Sequence, residues 1–174
     1  MNERRNLRKF EDLSVGEHRR SATRTVTEAE LLDFARQYDP QWFHADAEKA
    51  RESHFGGLIA SGVHVLAIWR QLDHTINGDV DFVCGVGFDE FRLVTALRAG
   101  DTVYVTSEIV SLAPSTSGKP RGTAITHYEV RNQNDEIVVR FDSINLVYCR
   151  QRSCGQLRIQ WITYLRDQKR GRKN

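Results

Sequence analysis

Residues 61–74, "SGVHVLAIWRQLDH", decide how the rest of the chain is read. Between Val63 and Leu72 the apolar side chains Val63, Val65, Leu66, Ala67, Ile68, Trp69 and Leu72 fall on almost every side of a helix. A helix that is apolar nearly all round is buried nearly all round. In a chain of 174 residues, long enough for one domain and short for two, this predicts one central helix with the remaining chain wrapped about it. Ser61 is a suitable cap for its start.

The wrapper follows in sequence. "DFVCGVGFDEFRLV", "DTVYVTSEIVSL", "GTAITHYEVRNQ" and "EIVVRFDSINLVYCR" (81–94, 101–112, 122–133 and 136–150) are rich in β-branched and aromatic residues. Turn chemistry separates them at "RAGD" (98–101), "PSTSGKPRG" (114–122) and "NQND" (132–135). Consecutive strands joined by short loops predict an antiparallel sheet. Helices first and strands after make an α+β fold, a sheet wrapped around a helix.

Upstream, "TEAELLDFARQY" (27–38) reads as the first helix. Thr27 and Glu30 form a capping box, and Leu31, Phe34, Ala35 and Tyr38 share one face. Pro40 ends it at Asp39, because the residue before a proline is pushed out of the α region. A short polar helix is expected in "ADAEKARES" (45–53), and a polar sheet edge in the segment after Gly16.

Composition excludes some functions. At 40% hydrophobic and 28% charged residues the chain is an ordinary globular one, and no apolar run approaches the ~20 residues of a membrane span. The charged start "MNERRNLRKF" lacks the apolar stretch of a secretory signal. Residues 150–174 hold eight Lys or Arg and one acid, Asp167. Taken from totals of 25 and 23, that leaves 17 basic and 22 acidic side chains in 1–149. An acidic body argues against a nucleic-acid partner. Residues 1–151 are therefore read as one domain and 152–174 as a basic tail, partly disordered. Cys84, Cys149 and Cys154 form no CxxC pair and fit reduced thiols in the cytoplasm.

Two short stretches carry chemistry. In "YDPQWFHAD" (38–46) a chain break separates Asp39 from His44, so a carboxylate and an imidazole can converge beside Trp42 and Phe43. In "FGGLIASG" (55–62) the chain arrives at the start of the buried helix, where unpaired N–H groups and the positive dipole end suit a developing oxyanion. Gly62 permits close approach of a ligand to the backbone. His44, His54, His64 and His74 recur every ten residues, which is no helical ligand spacing, and no metal site is expected.

Together these stretches, with "RAGDTVYVTSEIVSL" and "STSGKPRG", resemble the MaoC-like dehydratases, the (R)-specific enoyl-CoA hydratase group of the hot-dog fold, and in particular its nodulation protein N-like branch. The resemblance covers roughly residues 8–150. It implies reversible hydration of a trans-2-enoyl-CoA, a hydro-lyase reaction of fatty acid metabolism. Asp39 and His44 would be the catalytic pair and Gly62 the oxyanion amide, with Trp42, Phe43 and Ser61 along the substrate pocket. His44 would activate water and Asp39 would protonate C2. It further implies a homodimer or higher homo-oligomer, an acyl-CoA partner, and no cofactor beyond the CoA of the substrate. One departure stands out: where many such hydratases carry a serine supporting the aspartate, this chain has Arg70. Two alternatives stay open at this point, a hot-dog thioesterase using Asp39 or Glu90, and a non-catalytic acyl-CoA-binding protein.

Overall fold

The computed structural model describes residues 7–150 apart from Ser117; the tail at 152–174 and Cys154 lie outside the described residues. A 3-10 turn at Phe10–Asp12 leads to two short strands, β1 (His18–Arg20) and β2 (Arg24–Thr25). Helices α1 (Glu28–Tyr38), α2 (Trp42–Ala45), α3 (Ala47–Ala50) and α4 (Gly62–Asn77) follow. Four long strands come last, β3 (Phe82–Leu93), β4 (Thr102–Pro114), β5 (Arg121–Arg131) and β6 (Ile137–Tyr148).

The helices begin where local chemistry places them. Thr27 caps α1 through the predicted box, its hydroxyl accepting from the Glu30 N–H at 3.2 Å, a contact type that stabilises a helix by about 1 kcal/mol. Asp46 caps α3 by accepting from Glu48 and Lys49 N–H, both at 3.1 Å. Ser61 caps α4, accepting from Val63 N–H at 3.3 Å.

The sheet is antiparallel, in the order β1-β4-β5-β6-β3, with β2 also paired to β4. Strands β4, β5 and β6 form the expected meander. β3 does not pair with β4, its successor in sequence; it lies against β6, so the chain crosses from one edge of the sheet to its interior between them. Pairing order of this kind is set by which faces must be buried together and leaves no mark in the turn residues.

Alternation along β5 and β6 turns Ala124, Tyr128, Val130, Phe141 and Val147 to one face. There Tyr128, Val130 and Phe141 meet Val65, Ile68, Trp69 and Leu72 of α4, with Leu31 of α1 and Leu97, while Ala124 and Val147 pack with Phe10, Leu13 and Val80. Trp69 sits edge-on to Phe141 and Tyr128, ring centroids 4.8 and 5.1 Å apart. Such pairs add about 0.5–1.5 kcal/mol each beyond their buried area.

Helix α4 is less enclosed than its composition predicts. Val63 is 59% exposed, and Ala67 and Arg70 are exposed as well. Along β3, the edge strand, Val86 and Phe88 are also open to solvent. Apolar residues on every side of α4 therefore serve two surfaces, one packed by this chain's own sheet and one left bare within the single chain.

The core also holds a polar knot that the sequence did not announce. Asp73, 1% exposed, accepts from Tyr128 Oη and Asn77 Nδ2, each at 2.8 Å, and from Arg70 Nη1 at 2.9 Å. Burial, and then the Asp73 carboxylate, push the Tyr128 phenol pKa well up, so the tyrosine remains a donor.

Candidate active site

Helix α1 ends at Asp39, whose N–H still bonds Ala35 O at 2.9 Å while its own φ and ψ of −150° and 71° leave the helix. Pro40 forbids continuation, and the single turn of α2 carries His44 back toward the aspartate. His44 Nε2 stands 3.9 Å from Asp39 Oδ2. That gap is too wide for a direct hydrogen bond and suits one water touching both.

The imidazole is held from behind. Its Nδ1 lies 2.8 Å from the carbonyl oxygen of Ile59. A carbonyl only accepts, so Nδ1 carries a proton, and in the neutral imidazole this leaves the lone pair on Nε2. Ile59 is itself fixed within an extended, buried run, Leu58 to Ser61, tied down by the Ala60 N–H to Leu97 O bond at 2.8 Å. His44 is 7% exposed and packs edge-on to Phe43, centroids 4.4 Å apart.

The carboxylate is equally constrained. Gln41 Nε2 donates to Asp39 Oδ1 at 2.9 Å and Ser61 Oγ donates to Oδ2 at 2.6 Å. The Ser61 bond first, then the Gln41 bond, hold the Asp39 pKa below the ordinary carboxylate value against the opposing effect of burial. The resting group is an anion and an acceptor.

A cavity of about 280 Å³ opens beside this pair. His44, Phe43 and Gly62 line it with Phe55, Val65 and the stretch Leu93–Leu97 that leaves β3. The walls are largely apolar, with the imidazole, Thr95 and the Gly62 backbone as polar features. Gly62 is the first residue of α4, so its N–H is one of the first-turn amides with no intrahelical acceptor, at the positive end of a helix of 16 residues.

Of the residues expected at the site, His44, Gly62 and Phe43 line the cavity, and Asp39, outside the lining, joins them through His44 at 3.9 Å. Trp42 is 47% exposed and outside the cavity lining. Ser61, expected along the substrate pocket, is 1% exposed and engaged with Asp39, so it stands behind the Asp39–His44 pair rather than on the pocket wall. Arg70 points away from Asp39, to Asp73. Glu90 lies on an exposed bulge of β3 at φ 52°, facing Arg92 and outside the lining. The lining by Phe55 and Leu93–Leu97 escaped sequence reasoning, because only the fold brings a loop before α4 and the end of β3 to one place. Of the four evenly spaced histidines, His44 is at the site, His54 packs near Phe55, His64 packs on Phe34 and His74 is exposed.

An antiparallel sheet curled about one long helix, with a carboxylate and an imidazole beside that helix's first turn, defines a hot-dog fold. The chain matches the family model described as MaoC like domain over residues 11–141, and it belongs to that family. Its relatives include the 3-hydroxyacyl-thioester dehydratase Z of Mycobacterium tuberculosis, 33% identical over 110 residues, 61% of this chain and 72% of that protein. Among solved structures, the MaoC-like dehydratase from Rhodospirillum rubrum is 35% identical with a TM-score of 0.75, covering 82% of this chain and 97% of that one. The R-hydratase PhaJ1 from Pseudomonas aeruginosa, 24% identical with a TM-score of 0.64, covers 82% and 86% and shares the fold.

Proposed function

We propose that the protein adds water reversibly to the double bond of a trans-2-enoyl-CoA, giving a 3-hydroxyacyl-CoA. One observation carries the reading: His44 Nε2, on the wall of an apolar cavity that Gly62 also lines, stands 3.9 Å from a carboxylate oxygen of Asp39.

Water held by two acceptors donates one hydrogen to each and turns its lone pairs toward the substrate. As its oxygen bonds C3, His44 Nε2 takes one proton and the π electrons move onto the thioester oxygen. The Gly62 N–H receives that enolate charge. The proton then passes to C2 from the same face, and the site returns to its starting state. Asp39 thus begins as an acceptor, because its carboxyl has no proton to give at rest; the C2 proton is the one water released. The reaction is redox-neutral, and all three groups belong to the chain, so CoA enters only with the substrate.

Acid–base groups of this kind contribute about 10²–10⁴-fold and an oxyanion donor about 10²–10³-fold. His44→Ala and Asp39→Asn should each lower hydration of a short enoyl-CoA by about 10²-fold or more, followed as loss of enoyl absorbance. Release of free CoA thiol by the wild-type protein, in place of hydration of the double bond, would instead favour a thioesterase.

The bare apolar residues of β3 and α4 support a homodimer, since an exposed edge strand with apolar side chains is stabilised by pairing with a copy of itself. No helix among the described residues is long and apolar enough to cross a membrane. The free thiol of Cys84 accords with a cytoplasmic setting.

A further inference from the structure

We infer that Ser61 is the positioning residue for Asp39, linking the carboxylate to the first turn of α4 and taking the place that Arg70 does not fill. The inference rests on the hydratase reading of the site and assigns a task to a residue that the reaction itself does not touch.

The Ser61 hydroxyl has two partners and one proton. It accepts from the Val63 N–H at 3.3 Å and stands 2.6 Å from Asp39 Oδ2. The carboxylate only accepts, so the hydroxyl proton points at Asp39 and its lone pair at the helix amide. Val63 N–H, Ser61 O–H and Asp39 Oδ2 therefore form a directed chain in which each bond polarises the next. Through it the positive end of α4 is felt at the carboxylate. With 1% of Ser61 exposed, water does not compete for these bonds, and Ser61 has no free contact to offer a substrate.

Position follows as well as charge. Oδ2, the oxygen Ser61 holds, is also the one facing His44 Nε2, while Gln41 fixes Oδ1 from the other side. Freed from Ser61, the carboxylate can rotate and the 3.9 Å gap that accommodates the water is lost. Ser61 immediately precedes Gly62, so one helix start orients the carboxylate by its cap side chain and offers the oxyanion amide by its next residue.

Three variants separate this role from simple capping. Ser61→Thr keeps both donor and acceptor, Ser61→Asp keeps the cap acceptor but cannot donate to Asp39 as an anion, and Ser61→Ala keeps neither. Ser61→Ala and Ser61→Asp should lose roughly 10- to 100-fold in kcat with little change in KM, while Ser61→Thr retains most activity. The Asp39 carboxyl, followed by carbon-13 NMR, should titrate at higher pH in the Ala and Asp variants than in the wild type. This titration reads the contact even if no enoyl-CoA is turned over, so failure of the hydratase reading and failure of the Ser61 assignment are distinct results. An unchanged Asp39 titration in folded Ser61→Ala, or full activity in Ser61→Asp, would overturn it.

Discussion

Leu93 closes on Gly62 so tightly that a Cβ built on the glycine would lie 2.7 Å from the leucine Cδ1. The glycine thus meets two demands, an unobstructed amide at the head of α4 and room for a side chain arriving from the end of β3. Because Leu93 is 54% exposed and flexible, it can move aside, and Gly62→Ala should fold with stability within about 1 kcal/mol of the wild type. Turnover should fall about tenfold or more, as the methyl group and the displaced leucine crowd the cavity. Adding Leu93→Ala should restore part of the loss. A double-mutant cycle on kcat/KM measures that coupling.

His64 responds to acid in a definite direction. It is 5% exposed and stacks on Phe34 with ring centroids 4.2 Å apart, and its Nδ1 has no hydrogen-bond partner. Burial pushes its pKa below the ordinary imidazole value, with Glu30, 3.6 Å away, opposing and Arg24 assisting. The unfolded chain therefore binds the proton more readily than the folded one. The stability from this group is complete above about pH 6.5 and is lost as pH falls through the lower folded value. Urea midpoints measured from pH 7.5 downward should decline, and His64→Gln should flatten the first part of that decline. The later part belongs to carboxylates such as Asp39 and Asp12, whose lowered values place their loss at more acid pH.

How far the sequence disclosed these features depended on the distance over which each is determined. Helix α1 and its cap were legible because Thr27 and Glu30 are three residues apart. The approach of His44 to Asp39 was legible because Asp-Pro and the imidazole lie within a few residues of each other in the chain. The strands were legible in extent, as alternation is local, whereas the neighbour of β3 was not. The Ser61–Asp39 bond spans 22 positions and Asp73–Tyr128 spans 55, and no periodicity reports such contacts. Tyr38 shows the converse: spacing placed it on the apolar face of α1, yet as the helix's last residue it is 62% exposed and packs on Phe34 of its own helix, ring centroids 4.9 Å apart.

The exposed apolar residues of β3 give a test of assembly. Val86 and Phe88 are 56% and 47% exposed on a strand with one edge unpaired among the described residues. If a second copy covers this edge, Val86→Lys should move the protein from dimer to monomer in sedimentation velocity at micromolar concentration, while an equivalent charge at Val15, also exposed, should not. A lysine on an edge strand is a device that blocks strand pairing.

The polar knot under α4 should be the most sensitive point of the core. Tyr128→Phe removes one donor from Asp73 and leaves the carboxylate to Asn77 and Arg70, which should cost about 1–3 kcal/mol. Asp73→Ala should cost more, about 3–5 kcal/mol, because it opens a gap and strands both the phenol and the Asn77 amide away from water. Asp73→Ala combined with Tyr128→Phe removes the carboxylate and the phenol hydroxyl together and should be less destabilising than the two single changes added. Urea unfolding of the four proteins gives the coupling directly. Additive costs would mean that Asp73 and Tyr128 stabilise the core independently, despite the 2.8 Å between them.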